Sequence, residues 1–329
     1  MTTPIAESLR IGVSGRPSLA TRPARYAVFF ATYFYQGLIA GFSLTALANH
    51  LAARGASSAE VGFHFALAGL PWTLQPLIWG PWVDRTRDTR MGRRRPFAVA
   101  ALLGCHLMLA LLLVVGPGEI GMLGLVFLLH SLFAALLDTA CDRMIMDHVP
   151  AHELGRVSAC TRAGFVTGTS LSAALFGWTL ATYGFGASVR GLLVAAAIAG
   201  LPMLLIREAP ADALLSLRRR GPDTRRIPLG RFPRRLVIAL RRPGALRLLV
   251  LCFTLDGALG LFELPFSIDL LRRQGWESAD LSRLQAILTL ASGTVGAVAV
   301  GLWSDRDGAV APCAPFSWGA ESPLHWQEG

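Results

Sequence analysis

The chain has 329 residues, 53% hydrophobic and 16% charged, with a mean hydropathy of +0.49, which is too apolar and too sparsely charged for a soluble domain. Its net charge of +10 would suggest nucleic acid in a soluble protein, but in a membrane chain the charge belongs to loops beside a bilayer, and no nucleic-acid partner is expected. The apolar runs lack the two-residue alternation of a barrel, and a backbone in lipid must satisfy its own hydrogen bonds, so the fold class is all-α: a polytopic membrane helical bundle.

The segment 1–25 carries Arg10, Arg16, Arg22 and Arg25 but no short apolar core ahead of a small-residue cleavage site, so it reads as a cytoplasmic N-terminal segment and not as a signal peptide. Apolar stretches of about 20 residues cross the hydrocarbon as helices, and such stretches fall at 26–48, 61–83, 97–116, 120–140, 158–182, 191–206, 246–271 and 284–303. The first six make an N-terminal bundle over 26–206. An Arg-rich cytoplasmic linker follows at 207–245, then the first two helices of a second, incomplete bundle at 246–306, then an irregular tail at 307–329 that looks truncated or out of frame.

Arginine sets the orientation. All 31 basic residues are Arg, and they crowd alternate loops: six between Asp84 and Pro96 and twelve in 207–247, against Arg54, Arg190, Arg272 and Arg273 on the other side. By the positive-inside rule the crowded side is cytoplasmic, in a multi-pass protein of the cell inner membrane. The five cysteines have no metal-type spacing, and no metal or other cofactor is expected.

Within the helices, Tyr33, Tyr35 and Gln36 are interfacial or path-lining residues of the first span. Pro71 and Pro76 favour a kink in the second, and His64 reads as a wet or hydrogen-bonded histidine. The second span ends in Gly80-x-x-x-Asp84-Arg85, followed by Gly92-Arg93-Arg94-Arg95. A carboxylate and several guanidiniums thus gather where a helix leaves the bilayer, which suits a gate. The element recurs as Gly301-x-x-x-Asp305-Arg306, and an internal repeat of this kind points to a two-halved carrier.

Asp138 and Asp142 are four apart on one helix face, with Asp147 beyond them. Carboxylates at membrane depth are costly and suggest an ion or solute path; the plainer alternative is pairing with Arg143, Arg156 or the loop arginines. Asp256 and Glu263, on the seventh span, are further coupling candidates, since desolvation favours a protonated carboxyl. Gly164-x-x-x-Gly168 is a small-residue stripe for close helix packing. No nucleophile with a base, phosphate loop or metal cluster appears, so the chain is not expected to be an enzyme.

The Gly80 to Arg95 arrangement resembles the signature loop between helices 2 and 3 of the major facilitator superfamily. The eight-residue step from Asp84 to Gly92, the Trp79-Gly80-Pro81 lead-in, the Asp138, Asp142, Asp147 run into Pro150-Ala151-x-Glu153, and Asp256-Gly257-Ala258 look like the muropeptide permeases and related siderophore permeases. Two departures stand out: Gln75-Pro76 where those permeases usually carry a Lys, and Glu153-Leu154-Gly155-Arg156 in place of Glu-Arg-Gly. A sugar symporter branch shares a similar Asp-Arg-Thr-Arg loop but takes one residue fewer to reach its Gly.

The resemblance implies two six-helix halves, of which about eight of twelve transmembrane helices are present, and alternating access. The expected activity is proton-coupled uptake of a bulky siderophore-like or muropeptide-like solute by a monomer. The alternatives are a cation-coupled sugar symporter, or an inactive remnant or membrane scaffold.

Overall fold

In the computed structural model, residues 17–84, 88–220, 237–238, 240–241 and 243–307 are described, with the side chains of 243, 256 and 297–307 outside the described set. Arg85, most of the segment 1–25, the middle of the linker and the tail from 308 onward therefore lie outside the described residues.

The described chain is helical. α1 (Arg22–Ala40) runs without a break through a π-helical stretch, Gly41–Leu47, into α2 (Ala48–Ala53). α3 (Ser58–Asp84) follows and carries Pro71, Pro76 and Pro81 inside one continuous helix. α4 (Arg95–Leu111) and α5 (Ile120–His148) come next, and a short 3-10 turn, Ala151–Glu153, leads into α6 (Leu154–Leu205). α6 is two spans in one: at Gly184, φ 78, the helical path breaks, which separates the expected fifth and sixth spans. α7 (Pro243–Arg272) and α8 (Ser278–Asp307) complete the described chain.

The expected spans fall on these helices, the first of them across α1, the π-helical stretch and α2, and several helices run past the expected bounds. α4 stops at Leu111, short of 116, where turns lead into Gly116-Pro117-Gly118. α5 runs past 140 to His148, stopped before Pro150, so Asp142 and Asp147 are helical. The stretches Arg22–Ala53, Ile120–His148, Ala151–Leu205 and Gly244–Arg272 are long and apolar enough to cross a membrane. Many apolar side chains, such as Leu107, Ile198 and Phe253, point outward at 61%, 63% and 80% exposure, as expected of walls that face lipid.

α1 packs along the first arm of α6, α3 and α4 pack on α5, and α4 also touches α6. The α1–α6 seam is the closest. A Cβ on Gly37 or Gly41 would lie 2.2 Å from the carbonyl oxygens of Phe165 or Thr169. In return, a Cβ on Gly164 or Gly168 would lie 2.5 or 2.4 Å from the carbonyls of Phe30 or Phe34. The stripe on α6 thus meets a matching pair on the facing helix. With no hydrophobic drive between helices in lipid, such backbone proximity is what maximises van der Waals contact.

α8 lies on the other side of α6, and α2 meets α7 and α8 at the arginine-poor end. There Asn49 Nδ2 donates to Ser282 Oγ (2.9 Å) and Gln285 Oε1 (2.7 Å), and Arg272 Nε donates to the Ala52 carbonyl (3.5 Å).

Gly168→Ala is expected to push α1 off α6 at a cost of about 1–3 kcal/mol, the usual penalty for overpacking. Its apparent melting temperature in detergent should fall below wild type. Gly69→Ala, where a Cβ meets nothing within 4 Å, should not lower it.

Candidate functional site

Two features stand out: a charge cluster at the arginine-rich end and a cavity inside the bundle. The cluster is built on the turn between α3 and α4. Thr89 and Gly92 exchange backbone hydrogen bonds (3.2 and 3.1 Å), and Thr89 Oγ1 donates to the Gly92 carbonyl (2.6 Å). Gly92 has φ +105, a left-handed conformation that disfavours other residues, and a Cβ there would lie 2.6 Å from Glu208 Cδ.

Glu208 is the centre of the turn's far side. Its carboxylate is 6% exposed and accepts the backbone N–H groups of Arg93 (2.9 Å), Arg94 (2.6 Å) and Arg95. It therefore caps the N-terminus of α4, where unpaired N–H groups and the helix dipole both favour an anion. The segment after α6 lies along the turn: Ala213 N donates to Arg90 O (2.7 Å), Arg90 N to Arg218 O (2.9 Å) and Arg220 N to Asp88 O (3.1 Å).

Arg94 and Arg95 are buried at 5% and 1% exposure, so their guanidiniums must be satisfied by protein. Arg94 pairs with Asp84 Oδ1 (3.3 Å) and Asp147 Oδ2 (3.1 Å) and donates to the Val83 carbonyl. Asp84 Oδ2 also accepts from Arg143 Nη2 (2.7 Å), and the Asp84 carbonyl from Arg93 Nη2 (2.9 Å). Arg95 donates to the carbonyls of Leu204 (2.6 Å) and Leu214 (2.5 Å). The ends of α3, α4, α5 and α6 are thereby fastened together. Beside them Glu153 pairs with Arg25 (3.0 Å) and Arg22 (3.7 Å), which ties the start of α1 to the turn before α6.

The cavity, about 650 Å³, opens among α1, the π-helical stretch, α3, α5 and α6. Asp138 lines it, and its Oδ2 accepts from Gln75 Nε2 (2.8 Å), which also donates to Thr139 Oγ1 (3.1 Å). Tyr33 Oη donates to Asp142 Oδ1 (2.5 Å). Deeper, the buried His64 shares a hydrogen bond with Ser43 Oγ (3.0 Å) and meets Phe127 edge-on at 5.1 Å. Tyr35 stacks on His106 at 5.5 Å, and His130 lines the cavity with no partner at Nε2.

Residues 26–325 match the model of the Major Facilitator Superfamily. The chain belongs to the Major Facilitator Superfamily. It is a membrane transporter by family, and the match runs into the stretch 307–329 expected to be an irregular tail. A search of curated proteins returned no match.

In this superfamily member the residues singled out by sequence separate into three groups. Asp84, Gly92, Arg93, Arg94 and Arg95 come together in the charge cluster, whereas Gly80 sits on α3 where a Cβ would meet nothing within 4 Å. Asp138 lines the cavity and accepts from Gln75, whereas Asp142 is exposed outside the lining and accepts from Tyr33, which lines it. Among the described residues, Asp147 pairs with the loop arginine Arg94, and Arg143 turns to Asp84. Glu263 is exposed on α7, away from the cavity lining. Asp256, Asp305 and Arg306 lie on α7 and α8 with side chains outside the described set, and Arg85 lies outside the described residues.

Glu208 and Gln75 were not identified as site residues from sequence. Glu208 is a lone acid just after the last apolar residues of α6, a signal that marks the position but not its partner 115 residues back at Arg93.

Glu208→Ala should leave three buried backbone N–H groups without an acceptor, at about 1–3 kcal/mol. Trypsin should then cut at the exposed Arg90 faster than in wild type, read by mass spectrometry of the fragments. Equal cleavage rates would mean that Glu208 does not hold the turn.

Proposed function

We propose that this transporter takes up a bulky, siderophore-like or muropeptide-like solute, coupled to protons, by alternating access. The arginine-rich end and the N-terminus face the cytosol, in the cell inner membrane. The observation that carries this reading is the pairing of a solute-sized cavity with a carboxylate, Asp138, held at its wall by a neutral Gln75. A carboxylate with a neutral partner is free to change its protonation as the cavity alternates between sides, and it biases the equilibrium only through different proton affinities in the two states. Asp142 shares that face, and Asp256 and Glu263 on α7 are the corresponding candidates in the second half. Asp84, Arg93, Arg94 and Arg95 form the fastening that one state keeps and the other releases, with Gly80, Arg85, Gly92, Asp305 and Arg306 as the remaining members of the duplicated motif.

Asp84→Asn removes one charge from a cluster of paired arginines. In reconstituted vesicles it is expected to slow uptake while solute binding persists; wild-type initial rates would exclude the gating role. Asp138→Asn is expected to make uptake insensitive to an imposed pH gradient, and an unchanged gradient dependence would move the coupling site elsewhere. The Asp84-Arg85-Thr86-Arg87 sequence favours a second reading, a cation-coupled sugar symporter. An uptake panel of a ferric siderophore, a muropeptide and a disaccharide separates the two.

A further inference from the structure

The cavity wall is mostly carbon, with aromatic faces from Tyr33, Phe65, Trp72, Phe127 and Phe165. Polar side chains line it as well, among them Gln36, Ser43, Ser131, Asp138 and Arg162, and the charged ones differ in what they already hold. Asp138 is engaged by Gln75. Arg162 is an exposed residue whose guanidinium lies 5.8 Å from the centroid of Phe165, and among the described residues no carboxylate pairs with it. This contrasts with Arg25, Arg94 and Arg143, each of which meets a carboxylate within 3.3 Å. His130 also lines the cavity but is 4% exposed, with its Nε2 closed off from the open space, so it is not a solute contact.

From these observations we infer that the solute is an amphipathic organic anion, whose charged group is held by Arg162 and whose apolar or aromatic body lies on the ring-lined wall. This deepens the proposed function and rests on its reading of the cavity as the solute site. A volume of about 650 Å³ suits a ligand of drug size, and pockets of this kind combine an apolar wall with a few fixed polar groups. A guanidinium against a carboxylate, sulfonate or phosphate makes charge-assisted hydrogen bonds that a neutral solute cannot return. A sugar is disfavoured by the same wall, since its hydroxyls would be stripped of water against carbon.

The test uses the full chain in lipid nanodiscs and two fluorescent probes that share an aromatic body: the anion 8-anilino-1-naphthalenesulfonate and its uncharged counterpart N-phenyl-1-naphthylamine. Wild type should bind the anion saturably, above empty nanodiscs. Arg162→Gln should weaken the anion by about tenfold or more, the loss expected for a charge-assisted bond, and leave the neutral probe unchanged. Arg162→Lys should retain most of the anion's binding. Absence of saturable anion binding, equal effects of Arg162→Gln on both probes, or displacement of the anion by a neutral disaccharide would overturn the inference. Leu44→Trp, at a lining residue already 44% exposed, separates the two failures. If it weakens both probes while Arg162→Gln does not discriminate, the cavity is the site but the anion class is wrong. If it weakens neither, the cavity reading itself fails.

Discussion

A guanidinium taken out of water must be given acceptors by the protein, and the arginine-rich end of this molecule is arranged around that requirement. Arg94 and Arg95 are almost fully buried, and their partners come from α3, α5, the end of α6 and the segment beyond it. Because Arg94 is shared between Asp84 and Asp147, and Asp84 between Arg94 and Arg143, a change in any one helix end is felt by the others. A buried ion cluster contributes less net stability than its contacts suggest, since desolvation offsets the attraction. Its effect here is to hold several helix ends in one register.

Glu208 adds a second layer. It binds backbone, not guanidinium, and so fixes where α4 begins whatever its side chains do. The left-handed Gly92 makes room for that carboxylate, which explains in steric terms why the turn needs glycine there.

The cavity depends on an equally plain constraint: two helices approach closely only where neither carries side chains. Gly37 and Gly41 against Gly164 and Gly168 bring α1 and α6 together at backbone distance. The widened π-helical turn that starts at Gly41 then carries Ser43 and Leu44 to the cavity wall. A firm seam on one side of α1 thus leaves its other face free to line a solute-sized space. α7 and α8 touch this unit through α8 on α6 and through contacts with α2, Asn49 among them, at the arginine-poor end.

Apolar run length alone located the helices, because a helix that must satisfy its own backbone in lipid has little freedom in length. The signature from Gly80 to Arg95 was legible for a similar reason: charges at a helix exit are few and closely spaced. What a linear pattern could not supply were partners distant in the chain. Gln75 stood out in sequence only as a departure from a resemblance, yet it is the group that holds Asp138; Glu208 sat unnoticed among arginines, yet it anchors the turn 115 residues earlier. Asp138 and Asp142 looked as suited to arginine pairing as to a cavity; in the structure Gln75 and Tyr33 are their partners and Arg143 turns toward Asp84. Spacing determines which residues share a helix face; which face meets which neighbour is decided by packing between helices, and there tertiary structure alone had the answer.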